Sequence, residues 1–278
     1  MKSVRTVTLN TGAAMPQIGF GVFQIPPDEV VEPVRTAIDA GYRLIDTAAA
    51  YRNEKGVGRA IAECGVPREE LFVTTKLWNS DQGYDSALRA FEGSLGRLGL
   101  DYVDLYLIHW PVPAKDAYVD TWRALETVQG DGRARAIGVS NFAVPHLRRL
   151  LDETDMVPAV NQVEMHPLFP QDELRAFHAE HGIVTEAWGP IGQGKGLLDD
   201  AEVQKVAAEV GRSPAQVVLR WHVQRGDVAI PKSVHAERIR QNLAVFDFEL
   251  TDDHMAQLRT LDQGRRLGPD PETFNLGA

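Results

Sequence analysis

Val103-Asp104-Leu105-Tyr106-Leu107-Ile108 is a nearly continuous run of apolar residues within a chain of 278. Such a run is typical of a strand in a parallel sheet that is covered on both faces, because a strand with one wet face alternates apolar and polar residues. An amphipathic stretch at Tyr118–Gln129 follows it and predicts a helix. This pair indicates an α/β protein and supplies a unit with which the rest of the chain can be compared.

The same strand–helix unit recurs eight times in about 265 residues, which favours a (β/α)8 or TIM barrel over an open doubly wound sheet, the structural alternative. The predicted strands are Ile18–Val22, Arg43–Asp46, Leu71–Lys76, Val103–His109, Ala134–Ser140, Ala159–Glu164, Ile183–Trp188 and Val228–Pro231. The predicted helices are Asp28–Ala40, Glu54–Cys64, Asp85–Leu98, Tyr118–Gln129, Pro145–Glu153, Gln171–His181, Ala201–Val210, Pro214–Gln224, Ala236–Leu243 and Asp252–Leu261, so extra helices lie near the carboxyl terminus. An amino-terminal β-hairpin is predicted at Val4–Leu9 and Ala13–Gln17.

Composition and charge exclude several classes of protein. The chain is 44% hydrophobic, which is enough for a core, and its net charge of −10 disfavours nucleic acid as a partner. No run reaches the roughly 18 apolar residues of a membrane helix, and no linker interrupts the pattern. A single cysteine, Cys64, fits a reducing compartment. We expect one domain over residues 1–278, cytoplasmic and monomeric, without a metal site.

Ionisable side chains collect at the carboxyl ends of the predicted strands, where barrels place their active sites. Asp46 ends the second barrel strand and Tyr51 lies in the loop that follows, whereas Lys76 and His109 end the third and fourth strands. Each of these residues alone is more often a cap, a packing group, a solvated charge or a core histidine. Together, four such residues from three neighbouring strand ends favour a catalytic site.

These four residue types suit the transfer of a proton to a carbonyl oxygen. The reference pKa of tyrosine is about 10, and a nearby lysine ammonium lowers the pKa by favouring the anion. An aspartate keeps that ammonium charged, and a histidine can polarise a carbonyl group. Reduction of the carbonyl also needs a hydride, which no side chain can deliver, so a cofactor is required.

The loops after the seventh and eighth barrel strands are the best candidates for binding that cofactor, because barrels commonly hold phosphate there. Gly189–Gly196 follows the seventh strand, and Lys232-Ser233-Val234 precedes a helix that carries Arg238. Lys232 and Arg238 are predicted to clamp a phosphate, and the alternative is that both are solvated surface cations. Gly56-Val57-Gly58 lies within a predicted helix and matches a dinucleotide fingerprint only weakly.

Three separated stretches now show that the chain resembles the aldo-keto reductases along nearly its whole length. They are Gly41–Ala48 with Tyr51, Asn53-Glu54 and Val57-Gly58, then Ala136–Phe142, and finally Ile230–Val234. Thr74-Thr75-Lys76 and Leu107–Pro111 lie between them and are also in the style of the family. Tryptophan at 188, followed by Gly189–Lys195, is similar to the bacterial 2,5-diketo-D-gluconate reductase branch.

The resemblance implies Tyr51 as proton donor, Lys76 and Asp46 as the groups that tune it, and His109 as the group that orients the carbonyl. It implies NADPH as cofactor, with its carboxamide held by Ser140, Asn141 and Gln162 and its nicotinamide ring stacked on Trp188. The residues implied along the pyrophosphate are Gly189, Pro190, Ile191, Gly192, Gln193 and Gly194, and those at the adenosine phosphate are Lys232, Ser233, Val234, Arg238, Gln241 and Asn242.

The substrate is less well defined by the sequence than the reaction is. Phe23, Trp78 and Trp110 follow strand ends and are predicted to wall the substrate pocket, and the tail Gly264–Ala278 is predicted to fold over its mouth. We expect a small carbonyl compound, such as 2,5-diketo-D-gluconate or a related dicarbonyl, to be reduced to an alcohol. Two alternatives are a lyase with Lys76 as Schiff-base nucleophile and a nucleotide-sensing barrel without turnover.

Overall fold

Eight parallel strands form the central sheet of the computed structural model, which describes residues 5–277. Val4, at the start of the predicted hairpin, and Ala278, at the end of the tail, lie outside the described residues. The hairpin strands are β1 (Thr6–Thr8) and β2 (Ala14–Pro16), and the barrel strands are β3 (Gly19–Gly21), β4 (Leu44–Asp46), β5 (Phe72–Leu77), β6 (Val103–Ile108), β7 (Ala134–Ser140), β8 (Val160–Glu164), β9 (Val184–Trp188) and β10 (Val228–Ala229). The helices are α1 (Val31–Ala40), α2 (Glu54–Glu63), α3 (Tyr84–Leu98), α4 (Tyr118–Gly130), α5 (Val144–Glu153), α6 (Asp172–His181), α7 (Ala201–Val210), α8 (Pro214–Gln224), α9 (Ala236–Leu243) and α10 (Asp252–Arg259).

The sheet closes into a barrel. Strands β3 to β10 pair in chain order, and the first and last are joined by a parallel bridge between Ile18 and Ala229. The amide of Ala229 donates to Gln17 O at 2.9 Å, and the amide of Gly21 donates to Pro231 O at 3.1 Å. The prediction of a (β/α)8 barrel is confirmed, and the open-sheet alternative is wrong.

The predicted helices are all present, with small differences at their ends. Ser213 and Gln216 form a capping box at the start of α8, where the Gln216 amide donates to Ser213 Oγ at 3.3 Å. The last strand ends at Ala229, two residues earlier than predicted. Its predicted end at Pro231 lacks an N–H group and cannot continue the ladder as a donor.

The amino-terminal hairpin covers one end of the barrel. Leu9 and Met15 are buried and belong to one apolar cluster with Leu44, Phe72 and Leu105, which are barrel residues. Because this cluster fills the amino-terminal end of the barrel, the carboxyl ends of the strands are left for the site. No helix within residues 5–277 combines the length and the apolar character needed to cross a membrane.

Candidate active site

Lys76 and Asp46 form a buried ion pair inside the barrel. Asp46 is the register partner of Thr74 on the neighbouring strand, and Lys76 lies two residues further on, so all three face the same side. Lys76 Nζ is 2.7 Å from Asp46 Oδ1, 2.8 Å from Oδ2 and 2.9 Å from Thr47 O. Burial lowers the pKa of Lys76, but Asp46, Tyr51 and Glu186 together raise it by more, so the net shift is upward. The ammonium therefore stays charged.

Tyr51 lies above this pair on a short 3₁₀ turn, Ala49–Tyr51, directly after β4. Lys76 Nζ is 5.2 Å from the centre of the Tyr51 ring. Burial raises the pKa of Tyr51 and the Lys76 charge lowers it, with a net shift upward. Lys76 thus acts in the expected direction, although burial outweighs it in the free protein.

His109 completes the group and is electrically neutral. Its ring centre is 5.6 Å from that of Tyr51 and 5.3 Å from that of Trp78, edge-on to both. Burial, helped by the Lys76 charge, lowers the pKa of His109 well below its usual value. Nδ1 is buried without a partner within residues 5–277, whereas Nε2 is not sealed off from the cleft. The neutral ring can therefore offer one hydrogen bond to a ligand.

A cluster of amide and hydroxyl groups lies beside the four ionisable residues. Ser140 Oγ and the amide of Asn141 both donate to Gln162 O, at 2.8 and 2.9 Å. Asn141 Nδ2 donates to His109 O at 3.0 Å, and Asn141 Oδ1 accepts from Trp188 Nε1 at 2.7 Å. Asn141 has a φ of 63°, a left-handed conformation that asparagine tolerates better than most residues. The three carboxamide-binding candidates therefore lie together, with Trp188 attached to them.

The loop after β9 has the backbone of an anion-binding segment. Gly189, Gly192 and Gly194 all have positive φ, and Gln193 joins them at 51°. A Cβ at Gly192 would overlap Leu197, so this turn requires glycine. Pro190 O is 3.2 Å from His222 Nε2, which anchors the loop to α8.

The adenosine-phosphate candidates lie after β10 and on α9. The buried members are Ser233 and Asn242, and the exposed members are Lys232, Val234, Arg238 and Gln241. Within the described residues, neither the Lys232 side chain nor the Arg238 side chain makes an ion pair or a hydrogen bond. Two cations without a partner in a chain of net charge −10 suit an anionic ligand.

Aromatic side chains wall the cleft above Tyr51. Phe23 is 48% exposed, and its ring centre is 5.1 Å from that of Tyr51. Trp110 lies 4.3 Å from Phe274, ring centre to ring centre, so the tail does reach the cleft. Leu276 O also accepts a hydrogen bond from Asn79 Nδ2 at 2.8 Å. Phe23 and Trp78 therefore adjoin Tyr51 and His109, and Trp110 packs against Phe274 of the tail.

Two buried acids near the site were not assigned a role from the sequence. Glu186, on β9, accepts from Gln162 Nε2 at 2.8 Å, and burial raises its pKa to about 8. Glu164 accepts from the amides of Leu267 and Gly268 and so ties the tail to β8. A charged residue within the apolar run Ile183–Trp188 was the available signal for Glu186. Within residues 5–277, no three His, Cys, Asp or Glu side chains lie close enough together to hold a metal ion.

Comparison with known proteins agrees with this geometry. The model of the aldo/keto reductase family matches residues 12–263. Methylglyoxal reductase DkgA of Salmonella typhimurium is 49% identical over 275 residues, covering 99% of each chain. Morphine 6-dehydrogenase of Pseudomonas putida is 53% identical over 284 residues, covering 98% of this chain and 96% of that protein.

A solved structure gives the same result for the fold. A variant of Gox0644 in complex with NADPH superposes with a TM-score of 0.94 at 48% identity, covering 98% of this chain and 99% of the other. The family match, the full-length relatives and the barrel agree with one another. The chain therefore belongs to the aldo/keto reductase family and is an oxidoreductase.

Proposed function

We propose that the protein reduces aldehydes and ketones to alcohols with NADPH, and that Tyr51 donates the proton. The observation that carries the proposal is the position of Tyr51. Its ring lies 5.2 Å from the Lys76 ammonium and 5.6 Å from the neutral ring of His109, in an aromatic cleft. The complex of the Gox0644 variant with NADPH supports the choice of cofactor.

The residues present fit NADPH in the chemistry of their donors. Ser140, Asn141 and Gln162 offer amide and hydroxyl groups for the carboxamide, and Trp188 offers a flat ring. The glycines from Gly189 to Gly194 suit the pyrophosphate, and the unpaired Lys232 and Arg238 suit the 2′-phosphate. Ser233, Val234, Gln241 and Asn242 would complete the adenosine end. When bound, NADPH supplies the hydride that no side chain can supply.

The protein's own residues then handle the oxygen and the proton. His109 holds the carbonyl oxygen through its neutral ring, and Tyr51, kept protonated by its raised pKa, donates its hydroxyl proton to that oxygen. Lys76 stabilises the tyrosinate that forms, and Asp46 keeps the ammonium charged and in place. Burial strengthens both interactions because water is excluded.

The lyase alternative is disfavoured by the environment of Lys76. Its three hydrogens are directed at Asp46 Oδ1, Asp46 Oδ2 and Thr47 O, and its pKa is raised. A Schiff-base nucleophile requires a free amine. The nucleotide-sensing alternative is decided by the experiment below.

The substrate class proposed is that of aldehydes and small dicarbonyls, with 2,5-diketo-D-gluconate and methylglyoxal as the first candidates. The relative named as a methylglyoxal reductase, 49% identical, supports methylglyoxal. The relative named as a morphine dehydrogenase, 53% identical, favours a bulkier ring ketone. An aromatic cleft lined by Phe23, Trp78 and Trp110 accepts either kind. We further propose a cytoplasmic monomer, in keeping with the single Cys64.

The test is oxidation of NADPH against a panel of aldehydes, dicarbonyls, keto-sugar acids and cyclic ketones. Tyr51→Phe should lower turnover by roughly 100-fold or more and leave the affinity for NADPH nearly unchanged. Tyr84→Phe is the matched control, because Tyr84 is 42% exposed and bonds only Thr127. Persistent turnover in Tyr51→Phe would show another donor, and NADPH binding without oxidation across the panel would support the sensor.

A further inference from the structure

Gln162 makes a forked pair of hydrogen bonds across the interior of the barrel. Its Nε2 donates to Asp46 Oδ2 at 2.8 Å and to Glu186 Oε2 at 2.8 Å. Both amide hydrogens are thereby used. Oε1 accepts no hydrogen bond from residues 5–277, yet it is not sealed from solvent. The amide therefore presents its nitrogen to the two acids and leaves its oxygen free.

The orientation of this amide follows from the charge of Asp46. Asp46 is ionised, because it pairs with the Lys76 ammonium through both oxygens, and an ionised carboxylate only accepts. A flipped Gln162 would point Oε1 at that carboxylate. Glu186 accepts the second hydrogen, which would otherwise be buried without a partner.

Glu186 lowers the stability of the folded protein, because it is a buried acid with no cationic partner within the described residues. It is fully buried on β9, opposite Gln162 on β8 and Val228 on β10, and its Oε1 makes no hydrogen bond. Burial and the Asp46 charge raise its pKa to about 8, which favours the neutral acid. A neutral acid accepts the amide hydrogen without adding a second charge beside Asp46.

We propose that Glu186 is a positioning residue for the cofactor site. It holds the Gln162 amide so that Oε1 of Gln162 faces the cleft, and this oxygen accepts a hydrogen bond from the carboxamide NH₂ of nicotinamide. The inference rests on the proposed function, since it takes NADPH as the ligand. It extends that function, because a buried residue that does not touch the cofactor contributes to recognition of the carboxamide.

The test compares Glu186→Met with Glu186→Gln by equilibrium binding of NADP⁺ and by thermal unfolding. Methionine fills the space without accepting a hydrogen bond, so the affinity of Glu186→Met for NADP⁺ should be about tenfold lower than that of the wild type. Gln keeps an acceptor in place of the neutral acid and should restore the affinity to near the wild-type value. Thr185→Val, on the same strand but facing His178, should bind as the wild type does.

A second ligand separates positioning from a general structural effect. The 3-acetylpyridine analogue of NADP⁺ has no carboxamide NH₂, so the loss in Glu186→Met should disappear with it. The unfolding temperature of Glu186→Met should stay close to that of the wild type, because removal of a buried acid offsets the loss of the partner for the Gln162 amide hydrogen.

Several results would overturn the inference. These are wild-type affinity in Glu186→Met, an equal loss in Glu186→Gln, a loss that persists with the analogue, or a loss that follows a fall in unfolding temperature. Each of them leaves the test of Tyr51→Phe untouched. If the wild-type protein bound no NADP⁺, the inference and the proposed function would both fail.

Discussion

Lys76 donates from a fully buried ammonium to both carboxylate oxygens of Asp46, at 2.7 and 2.8 Å. The third hydrogen goes to Thr47 O, so the ammonium depends on protein groups alone. Removal of one partner from a buried pair leaves an uncompensated charge and costs about 3–5 kcal/mol, whereas replacing both by neutral groups is often tolerated. Stability and catalysis should therefore respond differently to the same substitutions.

Asp46→Asn and Lys76→Met should each lower the free energy of unfolding by about 3–5 kcal/mol. The double variant should recover most of that loss, since no buried charge remains. All three should have low turnover, because Lys76→Met removes the charge that stabilises the Tyr51 anion and Asp46→Asn removes the carboxylate that holds the Lys76 ammonium in place. Denaturant unfolding and NADPH oxidation check this, and a double variant that is active would show that the ion pair has no part in proton donation.

Substitution of both Lys232 and Arg238 by alanine should lower the affinity for NADPH far more than the affinity for NADH. Each charge-assisted contact to the 2′-phosphate contributes about 1.5–3 kcal/mol, so a loss of roughly 100-fold or more is expected for NADPH. Fluorescence titration with both nucleotides measures it. Arg240→Ala, an exposed cation on the same helix, is the matched control. Equal weakening of NADPH and NADH would mean that neither residue reads the 2′-phosphate.

The barrel and the grouping of its ionisable residues could be predicted because both follow from local patterns. Val103–Ile108 is apolar except for Asp104 because β6 is buried along its whole length. Asp46 and Lys76 lie at or near the carboxyl ends of β4 and β5. The role proposed for Glu186 could not be predicted, since it depends on a contact between Gln162 and Asp46, which are 116 residues apart in the chain. A contact between residues so far apart in the chain leaves no periodic pattern in the sequence.

Gly56 and Gly58 illustrate the same limit. The sequence offered them as a weak phosphate motif, but both lie within α2 and allow other segments to approach it. A Cβ at Gly58 would lie far inside contact distance of Leu98 O, and one at Gly56 would overlap Val30. Close packing, and not a ligand, accounts for these glycines. The sequence of α2 alone does not indicate this packing, because Val30 and Leu98 belong to other segments of the chain.

Gly58→Ala should therefore destabilise the protein strongly, because the clash is with backbone and α2 must move away from the end of α3. A loss of about 1–3 kcal/mol or more is expected from overpacking. Gly96→Ala in α3 is the matched control, since its Cβ would meet nothing within 4 Å. It should stabilise the protein by about 0.5–1 kcal/mol. Similar unfolding midpoints for the two variants would contradict the packing argument.

His222 predicts how stability responds to acid. Its Nε2 lies 3.2 Å from Pro190 O, and burial lowers its pKa to about 3. In the unfolded chain a histidine has a pKa of about 6.5. Between about pH 6.5 and pH 3, therefore, His222 binds a proton in the unfolded chain but not in the folded protein, and its contribution to stability falls as pH falls. The slope is at most roughly 1.4 kcal/mol per pH unit.

The stability difference between wild type and His222→Gln isolates that contribution from other titrating groups, including Glu186, which acts in the opposite sense. The wild type should be the more stable protein at pH 7.5, and its advantage should shrink by roughly 2 kcal/mol at pH 5. Urea unfolding at a series of pH values measures the difference. His235→Gln, at an exposed position, is the matched control. A constant difference for His222→Gln would show that His222 takes up its proton without unfolding the protein.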